Sequence, residues 1–254
     1  MMAVKHILTE LENGVLTITF SRPEKKNAIT VEMYQDMTDA LTRSEEDEGI
    51  KVAVITGSHG NFTSGNDLQD FIESPPTDEN SAPYKFLRCI AELTVPLIAA
   101  VDGMSIGIGT TMLLHCDFVY ATPRTIFRLP FVNLGLIPEA GATMLLPRLV
   151  GHMRAAELLM LGEPFDANVA GQLGLVSKVF EPTALLDQAR KTAYQLAAKP
   201  RSAIGQTKKL LRMPSESILE RIHRESLIFT ECLQSKETKE AMTAILEKNK
   251  IPKE

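Results

Sequence analysis

Short β-branched runs alternate with helix-period stretches through the first half of the chain, and past about Gly151 the strand signal nearly vanishes. That asymmetry predicts an α/β core built from the first part and a helical region after it. Residues 7–12 and 14–20 read as strands joined by Asn13-Gly14, a dipeptide that supplies the positive φ values of a tight hairpin. Thr30 stands where it would cap a helix carried by Met33, Met37, Ala40 and Leu41; the acidic run Glu45-Glu46-Asp47-Glu48 at its end is predicted to be a solvated face. Further strands are predicted over 51–56, 96–101, 118–121 and 125–127, and helices over 83–93 and from the Gly107-Ile108-Gly109 turn to Cys116. Residues 71–80, with Pro75-Pro76, are predicted to form a mobile surface segment able to act as a lid. In the last third, helices are predicted over 153–161, 166–174, 183–198, 202–213, 217–233 and 238–248, with a short strand at 175–180.

Composition narrows the function classes. The 254 residues carry a net charge of -5, so no global positive field exists to gather nucleic acid or an anionic membrane. Any anionic ligand has to be held by local basic groups. The longest apolar run, residues 95–101, is too short to cross a bilayer. Cys89, Cys116 and Cys232 are too few and too scattered for a disulfide framework or a metal cluster, which points to a reducing compartment. The opening residues Met1-Met2-Ala3-Val4-Lys5-His6 carry neither a signal core nor an arginine-rich leader, so a cytoplasmic setting is expected.

Chemistry-bearing residues gather in four segments. Glu139, in Asn133-Leu134-Gly135-Leu136-Ile137-Pro138-Glu139-Ala140-Gly141, is a carboxylate in an apolar, turn-forming stretch. Burial there would raise its pKa toward the range of a general base, whereas a first-turn position after Pro138 would make it a helix cap. The loop Ser64-Gly65-Asn66-Asp67 and the turn Gly107-Ile108-Gly109 are both suited to presenting backbone N–H groups to an oxyanion. Ser21-Arg22-Pro23-Glu24-Lys25-Lys26-Asn27-Ala28 is a proline-bent basic loop, either a phosphate grip or three exposed charges. His115 reads as a satisfied core residue and Asp67 as a helix cap.

The order and spacing of these pieces resemble the crotonase superfamily, the enoyl-CoA hydratases and isomerases. The resemblance runs through Arg22-Pro23 and Asn27-Ala28, Phe62-Thr63-Ser64-Gly65-Asn66-Asp67-Leu68, residues 96–109, Cys116-Asp117, Leu134-Gly135-Leu136-Ile137-Pro138, and residues 170–179. It implies an α/β spiral of ββα repeats over residues 1–195 holding the coenzyme A and catalytic sites. Residues 196–254 would form a helical region for trimerisation and active-site cover. It also implies an acyl-CoA thioester substrate, held at its carbonyl oxygen by the backbone N–H groups of Asn66 and Ile108, with no separate cofactor and no metal. A homotrimer or a dimer of trimers is the implied assembly. Coenzyme A would meet Lys25, Lys26, Ala28 and Ser64, and Lys248 of a neighbouring subunit would reach its 3′-phosphate; the aromatic common in that last helix is Ile245 here.

The departures from the pattern are as informative. The two glutamates with which hydratases of this superfamily activate water correspond here to Thr111 and Phe131. Glu139 instead falls where the Δ3,Δ2-enoyl-CoA isomerases of the peroxisomal type carry their single catalytic glutamate, and the Ser64-Gly65-Asn66-Asp67-Leu68 loop is also similar to that subgroup. The resemblance therefore implies conversion of a 3-enoyl-CoA to the 2-trans-enoyl-CoA in fatty acid oxidation. Hydration or another lyase reaction, and a non-catalytic acyl-CoA-binding scaffold, are the alternatives.

Overall fold

The computed structural model describes residues 5–248. β1 (Ile7–Glu12) and β2 (Val15–Phe20) form the predicted antiparallel hairpin, with Asn13 at φ 49° and Gly14 at φ 78° in the turn. Helix α1 (Val31–Glu46), capped by the Thr30 hydroxyl on the Met33 N–H, leads to β3 (Val52–Gly57). Helices α2 (Leu68–Glu73) and α3 (Ala82–Glu92) precede β4 (Leu97–Val101), which is followed at once by β5 (Met104–Ile106), α4 (Ile108–Thr111) and a tighter turn, Met112–His115. Then come β6 (Phe118–Ala121), β7 (Ile126–Arg128), α5 (Ala142–Val150), α6 (His152–Ala156), β8 (Phe165–Asp166), α7 (Ala167–Gln172) and β9 (Lys178–Val179).

The strands sort into two layers. A six-stranded sheet has the order β1-β2-β3-β4-β6-β9, parallel beyond the first hairpin, and a three-stranded sheet has the order β5-β7-β8. The smaller layer is continued by two isolated parallel bridges, Thr63 with Ser105 and Ile29 with Asn66. Successive turns of chain thus place one segment in each layer before a helix, which is the ββα spiral. Alternation along β3 shows how the layers are held. Ala53 and Ile55 enter the main core with Ile18, Phe20, Met37 and Phe62, while Val52 and Val54 enter a second core against α8 (Leu185–Ala197). The facing stripe on α8 is Ala189, Ala193 and Ala197, whose small side chains let the helix lie close to the sheet.

Helices α9 (Arg201–Arg212), α10 (Ile218–Gln234) and α11 (Lys236–Lys248) complete the chain. Lys208 of α9 reaches under the sheet with only 5% of its surface exposed, donating to the Val95 carbonyl and pairing with Asp117, both at 2.7 Å. No residue of α10 is buried, and Ile218, Leu219, Ile222, Leu227 and Phe229 stand exposed on it.

Several sequence expectations change. Glu45 is not part of a solvated face: its carboxylate accepts from the Thr94 and Val95 N–H groups and the Thr94 hydroxyl, tying the end of α1 to the start of β4. Residues 71–73 are helical, because Asp67 caps α2 by accepting from the Gln69 and Asp70 N–H groups; the rest of the 71–80 segment is mainly exposed. The strand expected at 175–180 shrinks to two residues, and β5 and α5 were not legible because their short lengths lie among glycine and proline turn signals.

Asp117→Ala removes the carboxylate from a buried lysine and from the Leu97 N–H it also accepts, and is expected to destabilise the fold by about 3–5 kcal/mol in urea denaturation. The double change Asp117→Leu with Lys208→Met is expected to cost less than that single change.

Candidate active site

The loop after β3 and the turn after β5 are laced together. The Thr63 N–H donates to the Met104 carbonyl (2.8 Å), and the Ile106 N–H returns a bond to the Thr63 carbonyl (3.1 Å). Because the bridge is parallel, Asn66 and Ile108 lie at matching offsets, each three residues beyond the Thr63–Ser105 pair. Gly65, at φ 89°, permits the contact: a Cβ there would sit 2.8 Å from the Ile106 carbonyl oxygen.

The same hydrogen bonds aim two peptide planes. Gly65 O accepts from the Ile29 N–H (2.8 Å), so the trans peptide turns the Asn66 N–H to the opposite side. Gly107 O accepts from the Thr110 and Thr111 N–H groups inside the first turn of α4, which turns the Ile108 N–H out of the helix start. Neither the Asn66 nor the Ile108 N–H has an acceptor among the described residues. Both are therefore free donors fixed by their neighbours, the arrangement an oxyanion needs.

Glu139 is tied to the helix that Ile108 opens. Thr111, one turn along α4 from Ile108, donates its hydroxyl to Glu139 Oε1 at 2.5 Å. Burial raises the Glu139 carboxyl to about 7, overcoming the Thr111 hydrogen bond, which acts to lower it. The capping alternative fails on position, since Gly141 is the N-cap residue of α5 and the Glu139 side chain is bound to Thr111 instead. The backbone beyond it is strained: Ala140 has φ 55° and Gly141 φ 66°. His115 Nε2 lies 2.8 Å from the Ala140 carbonyl, and burial lowers the imidazole pKa, so His115 is a neutral anchor for this turn, as its sequence setting suggested. Phe131, which the resemblance paired with Thr111, is buried in the main core.

The basic loop divides. Arg22 binds Asp67 (2.7 Å) and the Ala28 carbonyl (3.1 Å) and is no phosphate ligand; it holds the loop to the helix that Asp67 caps. Lys25 and Lys26 have exposed side chains, while their carbonyls accept from the Ser64 hydroxyl and the Ser64 N–H. Ala28 is buried, and its N–H donates to the Lys25 carbonyl. Lys25, Lys26, Ala28 and Ser64 are thus brought together next to the Asn66 donor. Lys248 closes α11, but its side chain, like that of Ile245, lies outside the described residues. A cavity of about 600 Å³ lined by Pro96, Phe118, Leu196, Ile204 and Lys208 lies at the start of β4 and β6, and Glu139 is not in its lining. Sequence reading missed Tyr34, a buried residue of α1 whose hydroxyl donates to Asn66 Oδ1 (2.6 Å); at helical spacing among Met33 and Met37 it carried only a core signal.

Two backbone donors without acceptors and a high-pKa carboxyl bonded one turn away could together hold an oxyanion and exchange a proton. The chain matches the enoyl-CoA hydratase/isomerase family over residues 10–253 and belongs to it. Among its relatives, enoyl-CoA delta isomerase 2 of Rattus norvegicus is 34% identical over 227 residues, covering 87% of this chain and 58% of that protein. This chain therefore spans a little over half the length of that relative. Crotonyl-CoA hydratase of Syntrophomonas wolfei is 32% identical over 254 residues, 98% of each chain. The crystal structure of enoyl-CoA hydratase/isomerase from Pseudoalteromonas atlantica T6c superimposes with a TM-score of 0.80 at 40% identity, covering 98% of this chain and all of that one (100%).

A carboxyl whose folded pKa is raised favours the fold below its unfolded pKa and loses that contribution as pH rises through about 7. Glu139→Gln is therefore expected to be more stable than the wild type at pH 8, on the order of 1–3 kcal/mol, and to lose that advantage toward pH 4. Thr111→Val removes the lowering hydrogen bond, so the Glu139 titration seen by NMR should move to still higher pH.

Proposed function

We propose that the protein is an acyl-CoA isomerase that shifts the double bond of a 3-enoyl-CoA to give the 2-trans-enoyl-CoA. The observation that carries this reading is that the buried Glu139 carboxyl is hydrogen-bonded to the Thr111 hydroxyl and, among the described residues, to no second acid; the resemblance sets Thr111 and the buried Phe131 where a hydratase would need carboxylates. Dry, apolar surroundings at Phe131 disfavour water as a reactant.

In the proposed reaction the Glu139 carboxylate takes a proton from C2, and the electron pair of that C–H bond flows into the thioester to give a dienolate. Negative charge gathers on the thioester oxygen, which the Asn66 and Ile108 N–H groups receive. The charge then returns to form the C2–C3 double bond, while the former C3–C4 π pair takes the same proton at C4. No water, oxidant or reductant is consumed, so one carboxyl with a pKa of about 7 serves both transfers. Each oxyanion donor is worth roughly 3–4 kcal/mol of transition-state stabilisation, and a general base roughly a hundred- to ten-thousand-fold.

Coenzyme A would run past Ser64 and Ala28, its phosphates facing the exposed side chains of Lys25 and Lys26, and Lys248 of a neighbouring subunit would reach the 3′-phosphate. The division at residues 195/196 assigns the last helices to assembly, as a homotrimer or a dimer of trimers. The unburied apolar side chains of α10 support an oligomer. The reading places the reaction in fatty acid oxidation and in the cytoplasm, and the three free thiols are compatible with a reducing compartment.

Purified protein given a 3-enoyl-CoA is expected to yield 2-enoyl-CoA without 3-hydroxyacyl-CoA. Glu139→Gln should lower the rate by roughly a hundred- to ten-thousand-fold, with an acid limb near pH 7 in the wild-type profile. Hydration of 2-enoyl-CoA as the main activity, surviving Glu139→Gln, would overturn the assignment. Binding of acyl-CoA with no turnover at all would leave a scaffold.

A further inference from the structure

One buried hydroxyl not used by the reaction above reaches the site. Tyr34 has 2% of its surface exposed, and its ring packs at 56° to that of Phe86 on α3, centroids 5.4 Å apart. A phenol in such a place needs a hydrogen-bond partner, and core tyrosines commonly take a backbone carbonyl. Tyr34 instead donates to the side chain of Asn66, Oδ1, at 2.6 Å. Asn66 is the residue whose own N–H is one of the two free donors. Its Nδ2 group has no acceptor among the described residues. The Glu139 carboxylate also stands close enough to Tyr34 to add to the effect of burial in raising the phenol pKa. The phenol and the carboxamide thus meet in one hydrogen bond at the residue that carries an oxyanion donor.

We propose that Tyr34 is a positioning residue: by holding Oδ1 of Asn66, it keeps the Nδ2 amino group turned to the reacting acyl group as a third donor beside the two backbone N–H groups. The physical need for such a clamp comes from the carboxamide itself. An Asn amide rotates about its last torsion between two nearly equivalent orientations, one offering N–H donors and the other offering oxygen lone pairs. The second would repel charge developing on the thioester oxygen. The phenol oxygen is also able to accept from Nδ2, but its short O–H···O bond to Oδ1, at 2.6 Å, is the stronger contact and favours the orientation that leaves Nδ2 for the substrate. Burial and the nearby Glu139 both keep that phenol protonated.

The inference rests on Glu139 as the base, so Glu139→Gln is assayed alongside. The test compares Tyr34→Phe, Asn66→Ala and the double variant for turnover of a 3-enoyl-CoA. Tyr34→Phe keeps the packing on Phe86, and Asn66→Ala keeps the backbone N–H. Asn66→Ala is expected to lower kcat by roughly a hundredfold, and Tyr34→Phe by roughly ten- to a hundredfold, with KM within about twofold for both. The double variant should be no slower than Asn66→Ala, since both changes remove one effect. Melting temperature should fall by no more than a few degrees in Tyr34→Phe. Wild-type kcat in either single variant overturns the proposal, as do losses that multiply in the double variant or a Tyr34→Phe loss that tracks only with melting. Should Tyr34→Phe fail to fold, the kcat of Asn66→Ala alone decides. An active Glu139→Gln would instead overturn the reading of the base, whereas an inactive Glu139→Gln with a normal Tyr34→Phe overturns only the clamp.

Discussion

The site depends on one backbone contact, the parallel bridge between Thr63 and Ser105 that seats the loop after β3 against the turn after β5. Both donor residues are counted from it. The contact is possible only because small groups meet there: Gly65 faces the Ile106 carbonyl, and Gly109 packs so near Thr63 that a Cβ would come within 2.5 Å of its Cγ2. A side chain at either place would push the two segments apart and with them the Asn66 and Ile108 N–H groups. At Gly65 a further cost of about 1–2 kcal/mol would come from forcing an L-residue to positive φ. Preorganised donors are effective because nothing has to move when charge appears, and the bridge is what supplies that rigidity.

Electrostatics and strain are arranged around the same point. Burial lifts the Glu139 carboxyl, and Thr111 restrains the rise while fixing its direction. The left-handed turn at Ala140 is energetically unfavourable by itself and persists because the His115 ring holds the Ala140 carbonyl. The carbonyl of His115 in turn accepts from Arg212 of α9, and Arg212 and Lys208 share Asp117. The helical region is thus joined through paired charges to the turn carrying the base, although it contributes no described side chain to the site.

Much of this was legible in the sequence where chemistry and periodicity agree. Asn13-Gly14, Thr30 and the apolar run from Leu97 to Val101 announced their structures because a turn, a cap and a doubly buried strand each have a distinct local signature. Glu139 was visible as a charge among apolar residues. What could not be read depends on partners distant along the chain. Glu45 looks like its acidic neighbours until Thr94 and Val95 arrive 49 and 50 residues later, and Arg22 looks like Lys25 until Asp67 claims it from 45 residues away. Tyr34 is a core residue by every local criterion, and only the tertiary fold brings Asn66 to its hydroxyl. β5, of three residues, has no periodicity to detect, yet it is the strand on which the site is registered.

The proposed isomerisation turns on a single carboxyl, Glu139. A pair of carboxylates sharing a site raise one another's pKa and hold water between them, which suits addition of water. Here the neighbour is a hydroxyl that donates to the carboxylate and cannot itself become a base, and Phe131 is packed into the core. A proton taken by such an acid meets no second carboxyl hydrogen-bonded to it among the described residues. In the reaction proposed above, returning it to the substrate at another carbon restores the carboxylate, and a site of this kind would favour moving a double bond over adding water.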